Sequence, residues 1–134
     1  MTLHAHGTFE VQLAPQALAH HDADAALGRL AIDKQFQGVL VGTSQGEMLS
    51  ARTSVEGSAS YVAIEQFTGT LHGRQGTFVL QHTGTLTRGA QQLVIRIVPD
   101  SGTGELVGLT GTMTLEIADG VHAYDLAYTL PDAA

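Results

Sequence analysis

Residues 61–82 read YVAIEQFTGTLHGRQGTFVLQH. Two alternating runs flank His72-Gly73, and alternation around a tight Gly-containing turn is the signature of paired antiparallel strands. A two-residue loop pairs Leu71 with Arg74. It then sets Phe67 opposite Phe78, Glu65 opposite Leu80 and Ala63 opposite His82. Facing residues share one side of a sheet. One side therefore gathers Tyr61, Ala63, Glu65, Phe67, Phe78, Leu80 and His82. The other carries Val62, Ile64, Gln66, Thr68, Thr77, Val79, Gln81 and Thr83. The first side holds the aromatics and is predicted to be the interior.

The same counting extends outward. A two-residue loop at Arg88-Gly89 adds Leu93, Ile95 and Ile97 to the interior and turns Arg96 out. Asp119-Gly120 is the strongest hairpin signal in the chain. It pairs Ile117 with His122, Leu115 with Tyr124 and Met113 with Leu126, with Tyr128 following on that face. Thr114, Glu116, Asp125 and Ala127 then face solvent. Near the start, Phe9, Val11 and Leu13 alternate with Thr8, Glu10 and Gln12. Leu30 and Ile32 point inward, and strict alternation carries Lys34 and Phe36 with them unless a bulge intervenes.

Between Val55 and Ala59 the turn is ambiguous. A two-residue loop puts Met48, Ser50 and Arg52 inside; a three-residue loop puts Leu49, Ala51 and Thr53 there. The apolar count favours the second. Residues 14–27 read as a loop with Pro15 and a polar HHDAD centre. Strand patterns broken by turns, with no convincing helix, predict an all-β barrel or sandwich. The recurring Gly-Thr pairs look like bends in strongly coiled strands rather than a fixed-period repeat.

The chain has 134 residues, and a single domain over 1–134 is expected. Only 14% are charged, with 6 Lys and Arg against 13 acids, a formal charge of -7. That balance argues against nucleic acid and against anionic membranes as partners, since both select positive surfaces. The absence of Cys excludes disulfides, thiolate metal sites and Cys nucleophiles. The opening MTLHAHGTFEVQLAP has no basic residue and no apolar core, so it does not read as a signal peptide. No apolar run approaches the roughly 20 residues that span a bilayer as a helix. The expectation is a soluble cytoplasmic protein.

Residues 101–111, SGTGELVGLTG, form the most specific string. It lacks the Gly-Lys-Ser/Thr ending of a phosphate-binding loop. It also has Val107 where a dinucleotide fingerprint needs Gly, and a strand rather than a helix follows. The turn chemistry favours a compact loop that tucks Leu106 and Leu109 under a barrel end. Together with residues 57–87, GSASYVAIEQFTGTLHGRQGTFVLQHTGTLT, this string resembles domain-of-unknown-function family 3224, a bacterial family. That resemblance covers most of the chain after Gly38. It implies an eight-stranded antiparallel β-barrel like that of allene oxide cyclases, which share a related GTG-containing loop with dirigent proteins. The chain departs from the plant cyclases almost everywhere else, so their activity and catalytic residues do not carry over.

Glu65 and His82 are the candidate catalytic residues. They are diagonal neighbours on the interior face, close enough to meet or to share a water. Burial should raise the Glu65 pKa unless His82 or Lys34 charges to pair with it. Such a pair suits acid–base chemistry without a cofactor. Tyr61, Phe67, Phe78, Leu80, Tyr124 and Tyr128 are the candidate ligand-binding residues, the tyrosines offering hydroxyls. The competing reading is a buried polar network that sets register only.

His4 and His6 share the solvent face of Thr8 and Glu10, and His20-His21 lies near Asp22 and Asp24. These read as a polar edge and a polar loop, and no metal site is assigned. Two function classes follow. The first is a barrel binding a small, largely apolar molecule, as a carrier or as a cofactor-free isomerase or cyclase. The second is an oligomeric assembly protein with a packed barrel, suggested by Val62, Ile64 and Val79 on the outer face. Whether any reaction is catalysed is left open.

Overall fold

The computed structural model describes residues 1–19 and 26–131. Eight antiparallel strands follow one another around a closed barrel. They are β1 (Leu3–Pro15), β2 (Leu27–Gly38), β3 (Leu40–Arg52), β4 (Ala59–Leu71), β5 (Arg74–Thr87), β6 (Ala90–Ile97), β7 (Thr110–Ala118) and β8 (Val121–Thr129). A 3-10 turn at Gly104–Leu106 is the one helical element among the described residues. The last strand pairs with the first, Leu3 opposite Tyr128 and Phe9 opposite His122, and this removes both sheet edges.

Three of the connections are the tight turns that the sequence predicts. His72-Gly73 has φ of 49° and 78°, Arg88-Gly89 48° and 91°, and Asp119-Gly120 53° and 78°. Positive φ at both central residues is the hairpin turn whose twist matches its strands. The register follows: Phe67 faces Phe78, Glu65 faces Leu80 and Ala63 faces His82. Ile95 faces His82 across β5 and β6, and Leu115 faces Tyr124 across β7 and β8. On β2, Ile32, Lys34 and Phe36 are all buried, so alternation runs through without a bulge.

Two expectations need correction. Leu49, Ala51 and Thr53 do not line the interior. Arg52 pairs with Ala59 and Met48 with Ala63, so residues 53–58 form a six-residue connection. An even number keeps the parity of the two-residue alternative, and Met48 and Ser50 turn inward. Leu49 is left half-exposed outside. The chain had room for this because Thr53, Val55 and Ser58 close their own turn, with Ser58 N–H donating to Val55 O at 3.1 Å and Thr53 N–H to Ser58 O at 3.3 Å. The second correction concerns residues 14–27, whose ends belong to strands. Pro15 pairs with Leu30 at the end of β1, where its missing N–H costs no ladder bond, and Leu27 opens β2. Residues 20–25 lie outside the described residues.

The two barrel ends differ. At one end the 98–109 connection folds back, and Leu106 and Leu109 are buried under it as the loop reading predicts. They join Leu40, Phe67, Leu71, Phe78, Leu126 and Tyr128 in one apolar cluster. The connection also crosses the outside of β5. Thr77 N–H donates to Thr103 Oγ1 and Val79 N–H to Ser101 Oγ, both at 3.0 Å, which half-covers Val79. At the opposite end the interior-facing residues are not enclosed. Leu13, Leu86 and Ile117 have the parity of buried neighbours yet are 49%, 39% and 64% exposed. There, too, β6 and β7 pair only at Ile95–Met113 and Arg96–Thr112. Among the described residues, the barrel is thus plugged at one end, and at the other its interior-facing side chains are exposed.

Candidate functional site

The charged groups of the lumen sit midway between plug and mouth. Lys34 on β2, Ser44 on β3, Glu65 on β4 and His82 on β5 are all buried. Register brings them together: Lys34 faces Ser44 across β2 and β3, and Glu65 is one interior position from Ala63, which faces His82. Glu65 needs the strand beside it to come close. Its partner on β3 is Gly46, where a Cβ would stand 2.0 Å from Ile64 O and 2.5 Å from Glu65 Cα. Only a residue without a Cβ allows that approach.

Lys34 Nζ donates to Glu65 Oε1 at 3.2 Å and lies 2.9 Å from Oε2. The same ammonium stands 4.6 Å above the Phe9 ring centroid, a cation–π contact that seats it on the aromatic core. His82 Nε2 is 3.4 Å from Glu65 Oε2, close enough for an electrostatic contact but misdirected for a hydrogen bond. Among the described residues, three buried side-chain atoms have no hydrogen-bond partner: Ser44 Oγ, His82 Nε2 and Glu65 Oε2, the last two lying within ion-pair distance of a charged neighbour. Buried polar atoms left open are uncommon in folded chains, because each forfeits its hydration.

Burial pushes the Glu65 carboxyl upward, but His82 and the Lys34 ammonium together outweigh it, so the pKa falls below the ordinary carboxylate value. Of the two, the Lys34 contact has the geometry of a hydrogen-bonded ion pair. The raised carboxyl expected for an unpaired Glu65 is therefore not found; the alternative with Lys34 charged applies. Glu65 is an anion at neutral pH, suited to orienting a cation or an imidazole and not to donating a proton.

The remaining predicted residues divide between the two halves. Tyr61 is half-buried on the mouth side, its ring 6.5 Å from that of His82. It packs over Gly84, where a Cβ would stand 2.4 Å from Tyr61 Cε1. Burial, with the nearby Glu65 charge, raises its phenol pKa. Phe67 and Phe78 stack at 4.9 Å and form the floor below the charges, and Leu80 lies directly opposite Glu65. Tyr124 and Tyr128 belong to the plugged half. The Tyr124 hydroxyl donates to Gln37 O at 2.9 Å and accepts from Leu40 N–H at 2.9 Å, which pins the bend between β2 and β3. The Tyr128 hydroxyl bonds to His72 Nδ1. Burial raises the pKa of both phenols.

Sequence reasoning missed Ser44, because the register of β3 was undecided. It carried Lys34 inward and named it, with His82, as a possible charge partner of Glu65, but nothing local relates β2 to β4, so the contact itself came only from the structure. His4 and His6 do lie on the outside of β1, as predicted. Asp125 was expected to be open to solvent, but it is half-buried: it faces His6 across the β1–β8 closure and contacts both imidazoles. His20, His21, Asp22 and Asp24 lie outside the described residues.

These features define a class: a small closed antiparallel barrel, capped at one end, with a lysine–glutamate–histidine cluster in its lumen. The family model "Protein of unknown function (DUF3224)" matches residues 5–128, and the chain belongs to that family. A solved structure of a protein of unknown function from the same family, from Shewanella oneidensis MR-1, is 48% identical with a TM-score of 0.93. The match covers 99% of this chain and 100% of that one. No curated protein matches the chain.

Proposed function

We propose that the open half of the lumen binds a small, largely apolar molecule carrying one hydrogen-bonding oxygen. The observation that carries this is the buried Ser44 Oγ, which has no hydrogen-bond partner, beside a Lys34–Glu65–His82 charge cluster in which His82 Nε2 makes no hydrogen bond. They lie below interior-facing side chains that grow progressively more exposed toward the mouth. Val11, Leu30, Met48, Tyr61, Leu93 and Leu115 line that half and suit an apolar body. A few directed polar groups in an apolar wall are the usual composition of a small-molecule site. Glu65, held as an anion, places a negative charge 3.4 Å from His82 Nε2, and the His82 imidazole is the group proposed to take or return a proton on the bound molecule. The chain's own residues thus supply acid–base chemistry without a cofactor.

The test is a fluorescence titration with 1-anilinonaphthalene-8-sulfonate, an apolar probe with a polar head, on the folded chain. Saturable binding of one probe per chain is expected. Ala63→Leu, which narrows the lumen beside His82, should weaken it at least tenfold. Undiminished binding to that variant would place the probe outside the barrel and overturn the reading.

A second reading has its own observation. Leu49, Val62 and Ile64 form one apolar patch on the outside of β3 and β4, each at least half exposed. A second copy of the chain covering this patch would make the protein an assembly module. Light scattering on the wild type and on Ile64→Lys separates the two readings. An oligomer that Ile64→Lys dissociates, with no lumenal probe binding, favours assembly.

A further inference from the structure

We infer that the outer surface of the β1–β8 closure holds a transition-metal cation, with His4, His6 and Asp125 as its protein ligands. Both histidines lie on β1 two residues apart, so their side chains leave the same face of the sheet. Asp125 faces His6 directly on β8. No local pattern relates these strands, which are the first and last of the chain; barrel closure supplies the third ligand.

The geometry is close to a coordination shell. His4 Nδ1 is 3.1 Å and His6 Nδ1 is 3.4 Å from the same Asp125 oxygen, Oδ1. The two imidazole rings lie nearly parallel, 10° apart with centroids at 6.0 Å, and both turn Nδ1 toward Asp125 Oδ1. One donor atom from each of the three residues lies within 4.8 Å of the others. Tetrahedral zinc with bonds of about 2.0–2.1 Å requires neighbouring donors roughly 3.3 Å apart. The two His–Asp separations already have that value. Both imidazole side chains are more than half exposed and free to rotate about χ1 and χ2 to complete the shell.

The ligand chemistry selects the ion. Two imidazoles and a carboxylate suit Zn2+, Co2+, Ni2+ or Cu2+, whereas Mg2+ and Ca2+ prefer all-oxygen shells. Three protein ligands leave a fourth position open on the solvent side, for water or for an acceptor side chain of another molecule. The ion would also clasp β1 to β8. A ligand that binds only the closed barrel stabilises it by mass action, so metal binding and resistance to unfolding are linked.

The experiment uses the full chain freed of metal. Zn2+ is titrated calorimetrically, Co2+ binding is followed by visible absorption, and thermal unfolding is recorded with each ion. One Zn2+ per chain is expected, with an intense four-coordinate Co2+ spectrum. At about a hundred dissociation constants of Zn2+ the melting temperature should rise by about 5–10 °C. Mg2+ and Ca2+ should leave it unchanged. His4→Ala/His6→Ala, in exposed positions that leave the fold intact by circular dichroism, should weaken Zn2+ binding at least a hundredfold and abolish the rise. His20→Ala/His21→Ala should retain both. Equal Zn2+ affinity in His4→Ala/His6→Ala, or a Zn2+ rise matched by Mg2+, would overturn the assignment. The outcome is independent of the lumenal site, which faces the other side of the sheet.

Discussion

Glu65 shows what one buried charge demands of its neighbours. Its carboxylate is held as an anion in the lumen because His82 and Lys34, the latter from two strands away, offset the burial. Removing one member of a buried pair strands the other, which costs about 3–5 kcal/mol, whereas replacing both with apolar residues of similar volume is often neutral. Glu65→Gln should therefore lower the denaturant-unfolding free energy by about 3–5 kcal/mol, and Lys34→Met/Glu65→Leu should recover most of the loss. A double variant as unstable as Glu65→Gln would show that the pair is worth more than its desolvation cost. The same residue gives a pH dependence. Folding lowers the Glu65 pKa from its ordinary 4.5, so the native state binds that proton more weakly than the unfolded chain. The resulting stabilisation is complete above 4.5 and is lost as pH falls through the lower folded value. Urea midpoints measured downward from about pH 5 should decline more steeply in the wild type than in Lys34→Met/Glu65→Leu.

Among the strands, ladder length varies with position. β4 and β5 pair continuously from Ala59–Leu86 to Leu71–Arg74, whereas β6 and β7 pair at two positions only. Amides opening into that short seam should exchange with solvent orders of magnitude faster than those between β4 and β5, because local opening there breaks few bonds. Uniform protection around the barrel, measured by hydrogen exchange, would contradict an open mouth beside β6. Gly46 tests the β3–β4 contact. Any Cβ at that position meets backbone at 2.0 Å, so Gly46→Ala must push β3 away from Glu65. It should lower the unfolding free energy by about 2–4 kcal/mol, within the range for strained or overpacked sites. A neutral Gly46→Ala would mean that the lumen does not depend on this close approach.

For the molecule as a whole, curling and closing the sheet add the juxtapositions that neighbouring-strand register does not supply. Among the described residues the two ends differ because the 98–109 connection plugs one while β6 and β7 part toward the other. The outer His4–His6–Asp125 group exists because β8 returns to β1. Among the described residues, no helix is long and apolar enough to cross a membrane.

Much of this was legible in the chain because short-range signals carry it. Three two-residue turns with positive φ set the register of β4 with β5, β5 with β6 and β7 with β8, and alternation then assigned each side chain to a face. That was enough to place Glu65 and His82 together. The six-residue 53–58 connection defeated the same counting, since a longer loop does not announce its parity, and Ser44 was lost with it. Lys34 beside Glu65, and Asp125 beside His4 and His6, depend on strands that are distant along the chain. Periodicity tells a side chain which way to point. Which other side chain it meets across the lumen or the final seam is decided only when the sheet curls and shuts, because that contact is made by the tertiary geometry and leaves no mark in local sequence.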